Sequence, residues 1–474
     1  MRTHPRRQLR DSLARCPSCP LMLCAGIIIA PAPGGSNFRG MGLQQPRLRV
    51  KVARNVSITF ATSLLSSGAT AVGALVVAHE LGARGAGLFT LARVVPTVVA
   101  GVLGGGLTIA NPYFIGGRRH SVQAIAETNV VLGLVFGLLG LGAWILAGPL
   151  LMTSFYKHVS AWPVVILGAS VPILLMRNYL NSIQQGLQAF TEANLVLLVE
   201  DLGGMLCVIP LLWKSPAAGT VDLLIILAPL VGATVSLVVA VWDLTRRGIR
   251  LLPGLRPAFA VEMLRFGIKG HLARIANTLS WRLDMMILST LGSAEAVGYY
   301  AVATKIAETV RPLSGSLNFV LRPLFASLPA QEARTEGVRL LRSFFAVNFL
   351  AVTLLWLMSG IIIDRLFGPD FAAAIPACRI LLVGLVAFGV DGVLNGFNVG
   401  TGRPEFNAYA AVVGLVITLA GDLTLITRYG LMGAAVTSAV AYTAKGLALA
   451  AIFVSLTARR PESPRVSEAS RRAA

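Results

Sequence analysis

Long apolar runs separated by short polar segments dominate the chain. Residues 129–151, 222–242 and 346–363 are three such runs. About 20 consecutive apolar residues are needed for a helix to cross the hydrocarbon core of a bilayer. The strands of a membrane barrel would instead alternate apolar and polar residues. The pattern therefore predicts an all-α polytopic membrane protein.

The same pattern places about twelve transmembrane helices in two six-helix lobes. The predicted spans are 54–78, 87–115, 122–150, 161–186, 190–213, 221–245, 262–290, 295–326, 338–364, 371–400, 405–427 and 431–457. The parts of the chain are predicted as a basic, disordered N-terminal extension (1–50), an N-terminal lobe (51–246), a cytoplasmic linker (247–261), a C-terminal lobe (262–457) and a basic cytoplasmic tail (458–474). Met41 is a second candidate for the translation start.

Composition and charge distribution agree with a membrane protein. Hydrophobic residues make up 55% of the chain and charged residues only 13%, against roughly 25% charged residues in soluble domains. The net charge of +20 lies mainly on alternate loops, which is the positive-inside pattern and not a nucleic-acid-binding face. With the N-terminus inside, 22 Lys and Arg residues from position 41 onward lie on inner segments and five on outer loops. We therefore expect both termini in the cytoplasm.

The two halves of the chain resemble each other at an offset of 211 residues. Span 2 and span 8 share glycine, alanine, proline and phenylalanine at matching positions, which are Gly87 and Gly298, Ala92 and Ala303, Pro112 and Pro323, and Phe114 and Phe325. Six spans per half give both repeats the same orientation. Transporters built from such repeats hold their substrate between the halves, near the membrane midplane.

Polar residues inside the spans fall on matching helix faces. At 100° per residue, one face of span 8 carries Tyr300, Thr304, Glu308, Arg311, Asn318 and Arg322, and one face of span 2 carries Thr90, Arg93, Thr97, Thr108 and Asn111. In span 1 the matching face is Ser63, Ser66, Ser67 and Thr70, and in span 7 it is Arg274, Asn277, Thr278 and Trp281, flanked by His271, Arg282 and Asp284. We expect all four faces to point at one central cavity.

A charge at mid-bilayer is costly unless it faces a cavity or a partner, so the intramembrane charges are the candidate site. The predicted substrate-binding residues are Arg93, Thr97, Arg274, Arg282, Asp284, Lys305, Glu308 and Arg311. A structural alternative stays open, in which Glu308 neutralises Arg311 and Asp284 pairs with Arg282 or Arg274. Weaker candidates are Arg177, Asp391, Asp422 and Lys445.

Enzyme activity, a metal site and a cofactor are not expected. Cys16 and Cys19 have the spacing of a redox or zinc motif, but no second pair accompanies them. The chain has no phosphate-binding or dinucleotide-binding glycine motif. Gly101 and Gly104 to Gly106 lie in an apolar span, where glycines allow helices to pack closely.

Three stretches carry a resemblance to a known family. They are LGARGAGLFTLARVVPTVVAGVLGGGL at 81–107, NTLSWRLDMMILSTLGSAEAVGYYAVATKIAE at 277–308 and FGPDFAAAIPACRILLVG at 367–384. With these stretches the chain resembles, over about residues 50–457, the polysaccharide flippases of the multidrug/oligosaccharidyl-lipid/polysaccharide exporter superfamily. Family members commonly have Asn where this chain has Asp422.

The resemblance implies an alternating-access carrier in the inner membrane. It would flip an undecaprenyl-pyrophosphate-linked oligosaccharide outward for O-antigen, capsule or exopolysaccharide assembly. The expected partners are this lipid-linked oligosaccharide and membrane lipids, with a polysaccharide polymerase or another assembly protein as a further candidate and no nucleic acid. Arginine suits such a substrate, because its guanidinium can hold a phosphate with two hydrogen bonds.

Three alternatives remain beside this hypothesis. A cation-coupled multidrug exporter of the same superfamily would usually have a carboxylate in span 1, which has no Asp or Glu. A major-facilitator carrier would have an Asp ahead of the basic pair Arg118 and Arg119, where this chain has glycines. A membrane-embedded glycosyltransferase or ligase would need a large outer loop with carboxylates, and the predicted outer loops are short.

Overall fold

The computed structural model describes residues 45–117, 120–157, 159–209, 218–311, 314, 321–322, 324–326 and 328–458. Within these ranges the regular elements are helices, and no strand is present. The predicted all-α fold class is confirmed. Several features named from the sequence lie outside the described residues, namely 1–44, Arg118, Arg119, Asn318, Pro323 and 459–474, and so does the side chain of Ser63.

The helices of the first half end at the predicted linker. They are α1 (Gln45–Leu103), α2 (Leu107–Gly116), α3 (Val122–Leu146), α4 (Gly148–Ser154), α5 (Ala161–Leu167), α6 (Ser170–Gly186), α7 (Phe190–Leu206) and α8 (Ala218–Arg246). Within this half α7 packs on α8, and α6 packs on α3, α2 and α8.

The second half begins with a proline at the first turn of α9, where the missing N–H of proline costs no helical hydrogen bond. Its helices are α9 (Pro257–Leu291), α10 (Ala294–Ala307), α11 (Ala330–Phe367), α12 (Ala374–Val386), α13 (Phe388–Gly400), α14 (Glu405–Gly421) and α15 (Leu431–Ala458). A 3-10 turn (Glu308–Val310) follows α10, and a π-helical turn (Asp422–Ile426) follows α14. In this half α15 packs on α14, α12 and α13, and α9 packs on α14.

Eight helices of the described residues are long and apolar enough to cross a membrane. One of them, 65–103, covers the second part of predicted span 1 and most of predicted span 2. The remaining predicted spans correspond to α7, which is only 17 residues long, to α9, which carries several charges, and to α10 with the residues after it. The helices are therefore consistent with about twelve crossings.

Spans 1 and 2 differ from the prediction in where the helix is interrupted. The polar segment between them remains within α1, and only Gly82 departs from helical geometry, with φ 64°. The interruption lies instead inside predicted span 2, at Gly104 to Gly106, where Gly105 and Gly106 have φ 54° and 79°. Left-handed backbone is accessible to glycine without the steric cost that a Cβ would add. The glycine run therefore ends α1 and redirects the chain into α2.

The glycine run also allows a close contact between the halves. A Cβ on Gly106 would lie 2.3 Å from the carbonyl carbon of Gly267 in α9. Gly106 therefore has the predicted role in close helix packing, whereas a Cβ on Gly101 would make only an ordinary contact, 3.7 Å from Thr278. Nearby, His271 of α9 makes a 3.0 Å hydrogen bond with the carbonyl of Val102.

A second contact between the halves follows the internal repeat. A Cβ on Gly87 would lie 1.9 Å from the carbonyl oxygen of Ala294, and one on Gly298 would lie 1.9 Å from that of Ala83. Ala83 and Ala294, like the two glycines, are 211 positions apart. Gly87 of α1 thus packs against the backbone of α10, and Gly298 of α10 packs against the backbone of α1. This reciprocity is what a two-fold relation between the lobes requires.

One residue of the predicted polar face of span 2 points elsewhere. Asn111 is fully buried, and its amide exchanges two 2.9 Å hydrogen bonds with Asn129 of α3 and donates to Ser182 of α6. These partners belong to the same half. Asn111 therefore joins three helices of the N-terminal half and does not line a central cavity.

The reciprocal glycine contact gives a first prediction. Gly298→Ala should destabilise the protein by about 1–3 kcal/mol, because the added methyl meets backbone that cannot move without separating two helices. Thermal unfolding of the purified protein in detergent measures this as a lower midpoint. Gly142→Ala in α3 is the matched control, since nothing lies within 4 Å of its Cβ position. Equal midpoints for the two variants would contradict the contact.

Candidate functional site at the junction of the two halves

Polar and charged side chains from both halves meet between α1, α7, α9 and α10. Lys305 of α10 donates a hydrogen bond to the hydroxyl of Thr70 in α1. One turn before Thr70 on α1, Ser66 donates to Asp201, which pairs with Arg93, and three residues after Lys305, Glu308 lies near Arg311 and Arg282. Three of the faces predicted to converge, those of spans 1, 2 and 8, are thus brought together around Lys305.

On the side of the first half, Arg93 is held by an acid that sequence reasoning did not identify. Its guanidinium lies 2.5 Å from a carboxylate oxygen of Asp201 in α7, and Ser66 of α1 donates to the other oxygen of that carboxylate. The Arg93 side chain is 34% exposed and that of Asp201 is 14% exposed. Arg93 is therefore held in position by Asp201 and its guanidinium remains partly exposed.

On the side of the second half, Glu308 lies between two arginines. Its carboxylate is 2.9 Å from Arg311 and 3.8 Å from Arg282. The Arg311 guanidinium lies over the ring of Trp281, 3.6 Å from its centroid, and Trp281 stacks on Tyr442 of α15 at 4.6 Å. A cation over an indole face is attracted by the ring quadrupole. Arg311 is therefore oriented by both a carboxylate and an aromatic stack.

Lys305 has no such anion beside it. Of the carboxylates in the described part of the chain, none lies within 4 Å of its ammonium group. Its hydrogen bond goes to the Thr70 hydroxyl, which is neutral. The site therefore contains four cations, Arg93, Arg282, Lys305 and Arg311, and two anions, Asp201 and Glu308, which leaves it with a net positive charge.

Two further predicted residues lie on the side of the first half. Thr97 is exposed, donates to the carbonyl of Arg93 at 2.7 Å and borders a cleft with Arg93, Ser170 and Glu200. Arg274 of α9 is exposed and donates to Thr108 of α2 at 2.6 Å. Thr97 thus belongs to the cationic site, whereas Arg274 bonds to Thr108 of α2 and pairs with no carboxylate in the described part of the chain.

Asp284 differs from the other seven predicted residues. It is 1% exposed, and its carboxylate accepts hydrogen bonds from Tyr300 at 2.5 Å, from Ser438 at 2.9 Å and from the backbone N–H of Met285 at 2.7 Å. These groups lie on α9, α10 and α15 of the second half. Neither Arg282 nor Arg274, the partners considered from the sequence, forms an ion pair with it. Its surroundings favour a structural role in joining three helices.

Two other ion pairs are more deeply placed in their halves. Arg177 of α6 pairs with Glu200 of α7, and Lys445 of α15 lies 3.0 Å from Asp391 of α13 and 3.2 Å from the Asn277 amide oxygen. The Lys445 and Asp391 side chains are only 13% and 12% exposed. Asp422 is fully buried in the π-helical turn, close to the charge of Asp284. Of these weaker candidates, three are ion-pair members.

Asp201 and Glu200 were missed because the sequence argument followed the internal repeat through spans 1, 2, 7 and 8. Predicted span 5 contains both acids side by side in an apolar run, and a charge there is as costly as one in span 2. The cost of burying two acids in an apolar span could therefore have identified Asp201 and Glu200 as candidates. The contact with Arg93, 108 residues away, required the fold.

Among the described residues, no group of three or more His, Cys, Asp or Glu side chains could hold a metal ion. The guanidinium, ammonium and hydroxyl donors at the junction can bind an anionic group.

Residues 52–328, more than half of the chain, match the family model described as polysaccharide biosynthesis protein. The chain belongs to this family. All eight predicted site residues lie within the matched range. A relative within the curated proteins, an uncharacterized membrane protein of Methanocaldococcus jannaschii, is 29% identical over 189 residues, which cover 38% of this chain and 37% of that protein. The match thus spans well under half the length of that relative.

Solved structures show the fold that this polysaccharide biosynthesis family member adopts. An inward-facing multidrug resistance MATE family transporter of the MOP superfamily is 17% identical, with a TM-score of 0.66 over 86% of this chain and 99% of that one. The lipid II flippase MurJ in an inward closed conformation is 14% identical, with a TM-score of 0.67 over 84% of this chain and 87% of that one. The predicted superfamily resemblance is confirmed at the level of fold.

Asp201 weakens one sequence argument against the drug-exporter alternative. Span 1 of this family member contains no acid, yet the carboxylate of Asp201 in α7 accepts a hydrogen bond from Ser66 of that span. A carboxylate therefore does lie against span 1, supplied by another helix. The distinction between the alternatives then depends on the excess of cations at the junction.

The Lys445–Asp391 pair gives a second prediction. Lys445→Met should destabilise the protein by about 3–5 kcal/mol, because it leaves Asp391 as an unpaired charge inside the membrane. The variant Lys445→Met with Asp391→Asn should recover most of the loss. Melting of the purified proteins in detergent measures both effects. A single variant that melts like the wild type would show that Lys445 is not a structural partner of Asp391.

Proposed function

We propose that this chain is a transporter that flips an undecaprenyl-pyrophosphate-linked oligosaccharide across the inner membrane for cell-surface polysaccharide assembly. The observation that carries the proposal is the excess of cations where the two halves meet. Among the described residues, Arg93, Arg282, Lys305 and Arg311 lie there, and the carboxylates that pair with these arginines are Asp201 and Glu308. Membership of the polysaccharide biosynthesis family agrees with a glycan substrate.

The chemistry of a lipid pyrophosphate fits this arrangement. The group carries at least two negative charges and several acceptor oxygens, and it has to cross a region where an isolated charge is costly. Guanidinium groups hold phosphate oxygens through two parallel hydrogen bonds, and an ammonium group adds a point charge. Arg93 from one half and Arg311 from the other would contact the pyrophosphate from opposite sides.

The position between the halves supports alternating access. Lys305 donates to Thr70 across the junction, so a substrate bound there touches both lobes. Rocking of one lobe against the other would then expose the bound group first to one side of the membrane and then to the other. At the reciprocal contact of Gly87 and Gly298, helices of the two lobes touch through their backbones. This contact is a candidate pivot for the rocking motion.

A cation-coupled multidrug exporter is the second candidate function. Asp201 and Glu200, adjacent on α7, are the observation that favours it, because carboxylates attract cationic drugs or coupling ions. Both acids are already paired with arginines, however. The net positive charge of the junction makes an anionic substrate the better match.

The proposed orientation places both termini and the linker in the cytoplasm. Reporter fusions after Arg119, within 248–258, within 330–336 and at the C-terminus should therefore give cytoplasmic signals, and fusions near Lys157 and Lys214 should give periplasmic ones. Paired phosphatase and fluorescent-protein reporters measure this directly. A periplasmic signal from the linker would overturn the orientation and the division into two six-span lobes.

The cationic junction gives the functional test. Arg93→Ala, Lys305→Ala and Arg311→Ala should each reduce glycan export by about tenfold or more at normal protein levels in the membrane, because each leaves the pyrophosphate with fewer partners. Arg93→Lys and Arg311→Lys should be milder, since charge remains but the two-pronged geometry is lost. Arg339→Ala is the matched control. It removes an arginine that also pairs with a glutamate three residues earlier, outside the junction.

The double variant Glu308→Ala with Arg311→Ala separates substrate binding from simple charge pairing. If Arg311 only neutralises Glu308, removal of both restores protein abundance and export. If Arg311 binds substrate, the double variant stays defective. Full export from the double variant would remove Arg311 from the substrate site.

A further inference from the structure

The arginines of the junction are paired in the structure, because carboxylates of the same half contact them. Asp201 holds Arg93 in the first half, and Glu308 holds Arg311 and lies near Arg282 in the second. A pyrophosphate that binds these guanidinium groups must therefore compete with internal anions. How firmly the internal anions are held decides whether such an exchange can occur.

Exposure separates the pairs that can exchange from those that cannot. The arginines at the junction are 30–34% exposed, whereas their acids Asp201 and Glu308 are 14% and 22% exposed, so an incoming group can reach the arginine of each pair while it is paired. A pair with one partly exposed member contributes less net free energy than a fully enclosed pair, because solvent screens the exposed charge. The Lys445–Asp391 pair, at 13% and 12% exposed, lacks that access. The junction pairs are thus suited to exchange and the buried pair to structure.

Lys305 provides the position where an incoming anion can first bind. It has a hydroxyl partner in Thr70 but, among the described residues, no carboxylate within 4 Å. Ser66, one helical turn before Thr70 on α1, donates to Asp201 of the Arg93 pair, and Glu308 of the Arg311 pair follows Lys305 by three residues. An anion attracted to Lys305 would therefore lie beside both internal ion pairs at once.

We propose that Asp201 and Glu308 are exchangeable internal anions, which release their arginines to the pyrophosphate of the substrate and recapture them when it leaves. The proposal rests on the proposed function and adds selectivity-determining roles for these two carboxylates. An anion must offset the loss of both internal pairs to bind. A lipid pyrophosphate can do so with its charges and apolar chain together, whereas a small free anion is excluded. Recapture of the arginines then assists release on the far side.

The test uses the purified full-length protein and polyprenyl pyrophosphate without sugar as the probe. Asp201→Asn and Glu308→Gln remove the charge and keep the shape of each side chain, and Glu336→Gln, whose partner is Arg339 outside the junction, is the control. We expect each junction variant to bind the probe about three- to tenfold more tightly than the wild type, because competition from the internal anion is lost. The control should bind like the wild type.

Two further measurements separate exchange from a structural role. Inorganic pyrophosphate should displace the probe from the junction variants at lower concentrations than from the wild type, since exclusion of small anions is weakened. Flipping of the lipid in proteoliposomes should slow even though binding is tighter, because release loses its competitor. A purely structural defect would instead weaken binding. Asp201→Glu, which keeps the charge, should restore exclusion of inorganic pyrophosphate.

The outcomes distinguish this inference from the proposed function. A wild-type protein that does not bind polyprenyl pyrophosphate overturns the proposed substrate. A wild-type protein that binds it, with both junction variants binding equally or more weakly and melting like the wild type, overturns the exchange of anions. Tighter binding with slower flipping in either folded variant supports it.

Discussion

The cost of a charge inside the membrane governs the structure. A cation there must face water, a substrate or a counter-ion, and the chain places several within its apolar helices. These intramembrane cations fall into two groups. Pairs such as Lys445 and Asp391 are enclosed within one half, while Arg93, Arg311 and Lys305 lie where the halves meet and keep partial access. The first group supports the fold, and the second provides the candidate site.

Much of the fold could be predicted because it follows from local patterns. Apolar runs gave the helices, and a repeated glycine at an offset of 211 predicted a relation that appears in the structure as the reciprocal contact of Gly87 and Gly298. The break at Gly105 and Gly106 was not predicted, because close packing and helix interruption have the same sequence signal in an apolar span. Only the left-handed backbone of Gly105 and Gly106, seen in the structure, distinguishes a helix interruption from close packing alone.

The candidate site was predictable only as far as helix faces allow. Faces of spans 1, 2 and 8 predict that Arg93, Lys305 and Arg311 face one cavity, and in the structure Lys305 of span 8 bonds to Thr70 of span 1 across the junction. A helix face does not say which neighbour a side chain meets, so Asp284 and Asn111 were assigned to the cavity although they bond within one half. Asp201 was missed because its role depends on a contact between α7 and α1, far apart in sequence.

The central claim, that the cationic junction carries a lipid-linked glycan, is tested most directly in proteoliposomes. The purified chain would be reconstituted with a fluorescent polyprenyl-pyrophosphate-linked oligosaccharide confined to one leaflet, and its appearance in the other leaflet followed with a membrane-impermeant quencher. The account predicts that the wild type exchanges the lipid far faster than protein-free liposomes and that Lys305→Ala does not. Exchange no faster than in protein-free liposomes, or equal exchange by Lys305→Ala, would contradict it.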